Sequence, residues 1–335
     1  MTQITQQINS LDLNLEPNSN KPNSLQQASL PLPLATPILL SGQIDDEALM
    51  AQIKNWRGNT DSVRTKATNW LTIGVDEVGR GPLYGSVVVA AVILPEAWSD
   101  ETDKLCLQDT VLAKVADSKK LTEAKRERLF EPIKQKALAY VIVDVPAAVI
   151  DEMNILQATL QAMRLACEQL MLAVVKLVAA QDAYDKRAQA QVNKVATKAP
   201  IMGFKLLIDG NKLPEFDRQG LAANGINNED KDQDQGKDKD SHAPVSMQTW
   251  ALEAEAWVKG DGRHTAIAAA SILAKVTRDR QLIADGARYP GYGLEKHKGY
   301  PTKAHLQAIN ELGVLPEHRR SYKPIQEALK QESLK

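Results

Sequence analysis

The chain has 335 residues, with 41 Lys+Arg against 42 Asp+Glu, 43% hydrophobic residues and 4% aromatics. At about 150 residues per domain, that length admits two domains or one α/β domain with insertions, and the hydrophobic fraction is enough for a real core. A net charge of −1 excludes a uniformly basic, histone-like binder while leaving room for a local basic face, and so few aromatics exclude long base-stacking platforms.

Met1 to Gln7 lacks the basic start and apolar run of a secretory signal. Residues 1–43 hold three charged residues, five prolines and many Gln, Asn and Ser. Such a tract cannot bury enough apolar surface to offset the entropy of ordering, and it reads as a disordered low-complexity tail. The Leu30 to Leu34 alternation of Leu and Pro belongs to that tail rather than to a docking peptide. Residues 44–70 are a linker with room for a short helix, since Ala48, Leu49, Ile53 and Trp56 fall at helical spacing. One unit then runs over 71–325, followed by a C-terminal tail at 326–335.

Within that unit, Leu71 to Val75 and the very apolar Gly85 to Leu94 read as strands joined by a polar, Gly-rich turn at 76–82. Thr122 caps a helix running to about Ala137, with a kink expected at Pro132. Tyr140 to Val145 is a third strand. A long helix starts near Asn154, with Leu156, Leu160, Met163, Cys167, Leu170 and Val174 near one face. Residues 181–203 extend or loop out of it as an insertion, and Lys205 to Ile208 is a short strand. Residues 217–247 carry a run of Asn, Asp and Lys from which no core can be built, so they read as a disordered insertion. Glu253 to Val258 alternates polar and apolar, as a half-buried strand does. Helices follow from His264 to about Ala287 and from Thr302 to Leu312, the latter capped by Thr302 and stopped by Gly313.

Cys106 and Cys167 are too few for a disulfide framework or a four-ligand structural zinc site, so both are expected as reduced, buried thiols. No segment approaches the ~18 uninterrupted apolar residues of a membrane span. A soluble cytoplasmic protein that does not use a membrane is expected, with a monomer as the default.

Three of the strands end in acids: Asp76-Glu77, Asp209 and Asp261. Strand ends of an α/β sheet face the crevices where ligands bind. Were these strands neighbours, four carboxylates would meet, repel one another and raise each other's pKa. A hard divalent cation relieves that repulsion, and oxygen ligands suit Mg²⁺ or Mn²⁺ rather than zinc. That layout serves metal-assisted phosphodiester hydrolysis. Taken singly, each acid is an ordinary turn former or helix cap. The Gly79-Arg80-Gly81 turn lacks the Gly-Lys-Ser/Thr ending of a nucleotide-binding P-loop.

The string Gly74-Val75-Asp76-Glu77-Val78-Gly79-Arg80-Gly81-Pro82-Leu83 strongly resembles the signature of the ribonuclease HII family. Asp117-Ser118-Lys119-Lys120-Leu121, Ile208-Asp209-Gly210-Asn211, Lys259-Gly260-Asp261, the Ala268 to Asp279 run, and His297-Lys298-Gly299-Tyr300-Pro301-Thr302 follow in family order. The resemblance covers about Leu71 to Pro324, broken at 181–203 and 217–247. It implies an RNase H-like α/β fold, with a central mixed five-stranded sheet flanked by helices and a helical C-terminal part. It implies an endonuclease that hydrolyses the RNA strand of RNA–DNA hybrids and cuts 5′ of ribonucleotides embedded in duplex DNA during replication and repair, leaving 5′-phosphate and 3′-hydroxyl ends.

By motif match, Asp76, Glu77, Asp209 and Asp261 would be the catalytic metal ligands, with two Mg²⁺ or Mn²⁺ ions in play during catalysis. Gly79, Arg80 and Gly81 match the family loop that meets the ribose 2′-hydroxyl, the group that separates RNA from DNA. Tyr300 matches the tyrosine that packs on the next sugar. The Lys119-Lys120 pair and the Lys275/Arg278 face, one helical turn apart, are expected phosphate contacts. His297, His305 and His318 are given no catalytic role, because hard Mg²⁺ does not favour imidazole. Ribonuclease HIII shares the carboxylates, but Gly79-Arg80-Gly81 and the low-complexity N-terminus favour HII. A non-catalytic hybrid binder would be the natural reading only if a carboxylate were missing. Residues 1–70 carry −1 and 217–247 carry −3, so the remainder carries +3, with +6 from Lys259 onward.

Overall fold

A computed structural model of the chain describes residues 1–8, 38–58, 69–98, 121–189, 202–228 and 250–334. The described strands are β1 (Thr2–Ile8), β2 (Ile38–Ile44), β3 (Asn69–Val78), β4 (Val87–Ile93), β5 (Ala139–Val145), β6 (Met202–Asp209), β7 (Ile226–Asn228) and β8 (Trp250–Trp257). The helices are α1 (Asp46–Gly58), α2 (Glu123–Lys136), α3 (Ala147–Met153), α4 (Ile155–Gln189), α5 (Arg218–Ala223), α6 (Thr265–Arg288), α7 (Leu294–His297), α8 (Lys303–Leu312) and α9 (Lys323–Glu332).

The strands form one mixed sheet in the order β1-β2-β5-β4-β3-β6-β8-β7. β3, β6 and β8 run parallel and adjacent, while β4 and β5 run antiparallel beside them. All seven residues of β4 are buried, because both of its faces are covered. Val87, Val89, Ala91 and Ile93 join a core with α4 residues such as Ala162, Ala166 and Leu170. Val88, Ala90 and Val92 join a second core with Leu129, Phe130 and Ile133 of α2 and the alanine-rich face of α6.

The approach of α6 to β3 sets the geometry of the strand ends. A Cβ placed on Gly74 would lie 2.0 Å from the backbone carbon of Ala266 and 2.3 Å from the Ile267 nitrogen. Only glycine lets the first turn of α6 cross β3 that closely, two residues before Asp76. Small Ala266, Ala269 and Ala270 keep the helix low over the sheet. At the other end of the strand, the Trp70 ring fills the space above Gly203, 2.4 Å from where its Cβ would be.

Several local expectations hold. The Thr122 side chain accepts from the Lys125 N–H, and α2 runs on through Pro132. Thr302 caps α8 in the same way, through the His305 N–H, and Gly313 ends it at φ +92°. Cys167 is free and buried, and burial pushes its thiol pKa up; Cys106 lies outside the described residues. No described helix is long and apolar enough to cross a membrane.

The expected mixed sheet has its five central strands, extended among the described residues by β1-β2 on one side and β7 on the other. Three domain bounds need correction. Residues 326–335 are not all tail, because α9 runs through Glu332 with Ala328 buried. Residues 38–43 are not tail: β2 pairs antiparallel with β5, and Ile38, Leu40 and Ile44 are buried beneath α1 and α4. Residues 2–8 pair with β2. The insertion beginning at 217 opens with ordered structure, since Asp217 caps α5 and β7 pairs with β8. Its acidic run at 229–247, like 9–37 and 190–201, lies outside the described residues.

The contact at Gly74 yields a direct test. Gly74→Ala forces backbone against backbone, and it is expected to cost at least about 3 kcal/mol in urea unfolding or to prevent folding. A variant as stable as wild type would overturn the packing account.

Candidate active site

Because β3, β6 and β8 are parallel neighbours, their carboxyl ends open on one side of the sheet. Val75 pairs with Ile208, and Asp209 pairs with Trp257. That register places Asp76-Glu77, Asp209 and the turn after β8 in one row. The turn, Gly260–Gly262, carries Asp261, which is 2% exposed. It is tied to β6 by the Gly260 N–H, which donates to Asp209 Oδ1 at 2.6 Å. The Lys259 backbone is left-handed, at φ 59°, to reverse the chain there.

The charges are held unfavourably. Asp76 is pushed well above the ordinary carboxylate range, by burial first, then by the Glu77 and Asp209 charges. The Ser271 hydroxyl and the Glu77 N–H, the latter at 2.7 Å, only partly offset this. Glu77 is also raised by burial, against the pull of Arg80, whose Nη1 lies 3.2 Å from Oε1. Ser271 lies within the Ala268 to Asp279 run, and its signal in the sequence is a hydroxyl in an alanine stripe of α6.

Among the described residues, no three His, Cys, Asp or Glu side chains already close on one point as a cation shell. The donors nevertheless fit a hard divalent cation. Glu77 Oε2 is buried with no hydrogen-bond partner, and the raised Asp76 sits among like charges that a cation would neutralise.

The loop after β3 packs against the C-terminal helices. Gly79 has φ +97°, and a Cβ there would meet Arg278 Nε at 2.4 Å. Gly81 needs its bareness for another reason: a Cβ would lie 3.3 Å from the Tyr300 ring. The expected substrate loop and Tyr300, which is 43% exposed, are therefore neighbours on the surface. Gly299, at φ +79°, brings the chain into Tyr300 and accepts from the Leu83 N–H at 2.8 Å. Behind Tyr300, His305 Nδ1 contacts its carbonyl at 3.0 Å, and His305 and His318 meet through their Nε2 atoms at 3.1 Å. Burial lowers both imidazoles, to about 4 and about 3.

The basic residues turn out differently. Arg278 is not a phosphate contact. It is fully buried and donates to the Ser86, Lys298 and Tyr84 carbonyls at 2.9–3.0 Å. Burial and the neighbouring Arg319 lower its pKa to about 10. Lys275 is partly exposed and paired with Asp279 at 2.6 Å. Lys119 and Lys120 lie outside the described residues.

The family model for ribonuclease HII matches residues 73–202 and 216–325. A ribonuclease HII of Psychrobacter sp. (strain PRwf-1) is 57% identical over 93% of this chain and 94% of its own length. That of Psychrobacter arcticus is 44% identical over 88% and 89%. Among solved structures, ribonuclease H2 from Pyrococcus horikoshii matches at 22% identity and TM-score 0.47, covering 79% of this chain and 99% of that one.

Asp76→Asn removes a carboxylate that the fold strains to hold, so it should raise the melting temperature of the protein in EDTA. Each 1 kcal/mol relieved reads as about 2–4 °C. Added Mn²⁺ should stabilise wild type and not the variant; a variant less stable than wild type in EDTA would contradict this electrostatic picture. The two lowered imidazoles make a separate prediction. Both stay neutral in the fold while the unfolded chain protonates near pH 6.5, so their contribution is lost as pH falls from about 6.5 towards 4. The raised carboxylates act in the opposite sense, so the signal is a difference: urea stability of His318→Asn should fall less with acid than that of wild type. Parallel pH curves would refute it.

Proposed function

The chain belongs to the ribonuclease HII family, and we propose that Asp76, Glu77, Asp209 and Asp261 are the carboxylates on which its metal-dependent endoribonuclease activity toward RNA–DNA hybrids rests. The observation carrying this is the row of strand ends that brings Asp76-Glu77, Asp209 and the Asp261 turn together, with burial and like charge raising Asp76. Mg²⁺ or Mn²⁺, with two ions during catalysis, is the cation class that oxygen-only donors favour. When bound, such a cation activates water and stabilises the leaving oxygen of a phosphodiester.

The chain's own groups do the rest. Ser271 and the Glu77 N–H orient the Asp76 carboxylate. The Gly260 N–H fixes Asp209 and so couples β6 to the Asp261 turn. Gly79-Arg80-Gly81 meets the ribose 2′-hydroxyl, and Tyr300, packed beside Gly81, bears on the next sugar. Neither group reads a base, so cleavage depends little on sequence. Water adds at phosphorus and the bond to the 3′-oxygen breaks, leaving a 5′-phosphate and a 3′-hydroxyl, 5′ of a ribonucleotide embedded in duplex DNA. The partners are thus RNA–DNA hybrids and DNA duplexes containing ribonucleotides, met by a monomer. Arg80 is half exposed and pairs with Glu77 at 3.2 Å.

The test is cleavage of a duplex bearing one ribonucleotide, in Mg²⁺, Mn²⁺ or EDTA, with the cut mapped. Cutting 5′ of the ribonucleotide in either metal, and none in EDTA, is expected. Asp209→Asn should reduce turnover by more than about 100-fold, and Tyr300→Ala by roughly tenfold or more on this substrate. Wild-type turnover in Asp209→Asn would remove the carboxylate assignment.

A further inference from the structure

Beneath the Gly79-Arg80-Gly81 loop lies a second buried arginine, Arg319, in the segment between α8 and α9. That segment runs alongside the chain after the loop: Arg319 N–H donates to the Leu83 carbonyl, Gly85 N–H donates to Glu317, and Tyr84 bridges His318. Arg319 is 0% exposed. Its guanidinium donates to the carbonyls of Gly79, of Arg80 at 3.0 Å, of Gly85 at 2.9 Å and of Ser86 at 3.1 Å. Tyr322 OH adds a bond to the Arg80 carbonyl at 2.8 Å, and also accepts from Arg319 at 3.1 Å.

Two features set this apart from ordinary packing. First, among the described residues Arg319 has no carboxylate at ion-pair distance, and Arg278 is buried beside it with the same lack. Burying two like charges in contact range is expensive unless every donor is used. Second, a trans peptide unit points its C=O and N–H in opposite directions. Pulling the Gly79 and Arg80 carbonyls inward turns the Arg80 and Gly81 N–H groups outward. Neither N–H has an acceptor among the described residues.

We propose that Arg319, seconded by Tyr322, is a positioning residue for ribonucleotide recognition: it locks the two peptide planes whose outward N–H groups read the 2′-hydroxyl. This rests on the reading that the loop meets that hydroxyl. Lysine cannot replace it, because a single ammonium has three donors and no planar fork to span four carbonyls.

The experiment measures binding of the full chain in EDTA to two duplexes of one sequence, one all-deoxy and one with a single ribonucleotide. The readout is the ratio of affinities, with thermal unfolding alongside. Arg319→Lys should lower the ribonucleotide preference about tenfold or abolish it, and Tyr322→Phe, which deletes one hydroxyl, should lower it about threefold. All-deoxy affinity should be unchanged in both. Should Arg319→Lys fail to fold, Tyr322→Phe decides. Full preference in the folded variants, with the preference lost in Gly81→Ala, overturns the role of Arg319 and leaves the loop reading standing. No preference in wild type, or full preference in Gly81→Ala, overturns the loop reading and the proposal with it.

Discussion

Burying like charges at the ends of adjacent parallel strands is the constraint around which this molecule is built. β3, β6 and β8 deliver carboxylates to one edge because they are parallel and in register. α6 closes over them because Gly74 lets backbone meet backbone. That closure desolvates Asp76 and sets it against Glu77 and Asp209. A fold selected for stability alone would not keep such a cluster, since ionised carboxylates under burial cost free energy. On the proposed reading, a hard divalent cation supplies the compensation.

The second constraint is conformational. The loop leaving β3 adopts a left-handed turn at Gly79. It is held from below, by Arg278 linking it to the Tyr300 turn through the Lys298 carbonyl and by Arg319 linking it to the C-terminal segment. The C-terminal helices therefore take part in the site without supplying a carboxylate to it. The stacked His297, His305 and His318 rings lie behind the Tyr300 turn, with His305 Nδ1 at 3.0 Å from the Tyr300 carbonyl.

Much of this could be read from residue patterns. The acids after apolar runs, the Thr122 and Thr302 caps and the Gly313 stop each follow from local chemistry, and the structure agrees with them. Other features were obscured because two signals competed. Ile38 to Ile44 alternates buried and exposed residues as a strand should, but a Pro-, Gln- and Asn-rich context argued for a tail, and pairing with β5 decided the matter. Arg278 looked like a surface cation. Yet Ala270, Ala274, Arg278 and Leu282 lie four residues apart on α6, and all are buried. A guanidinium in an apolar stripe signals a clamp on backbone carbonyls, and that signal was present. Arg319 left less trace, because its partners are carbonyls 233–240 residues away in sequence.

The central claim is that the strained carboxylates exist to hold a divalent cation. Its most direct measurement is titration of the full chain with Mn²⁺, following free Mn²⁺ by electron paramagnetic resonance. Wild type should take up the ion, and an Asp76→Asn/Asp209→Asn double variant that remains folded should not. Equal uptake by the two proteins would contradict the account.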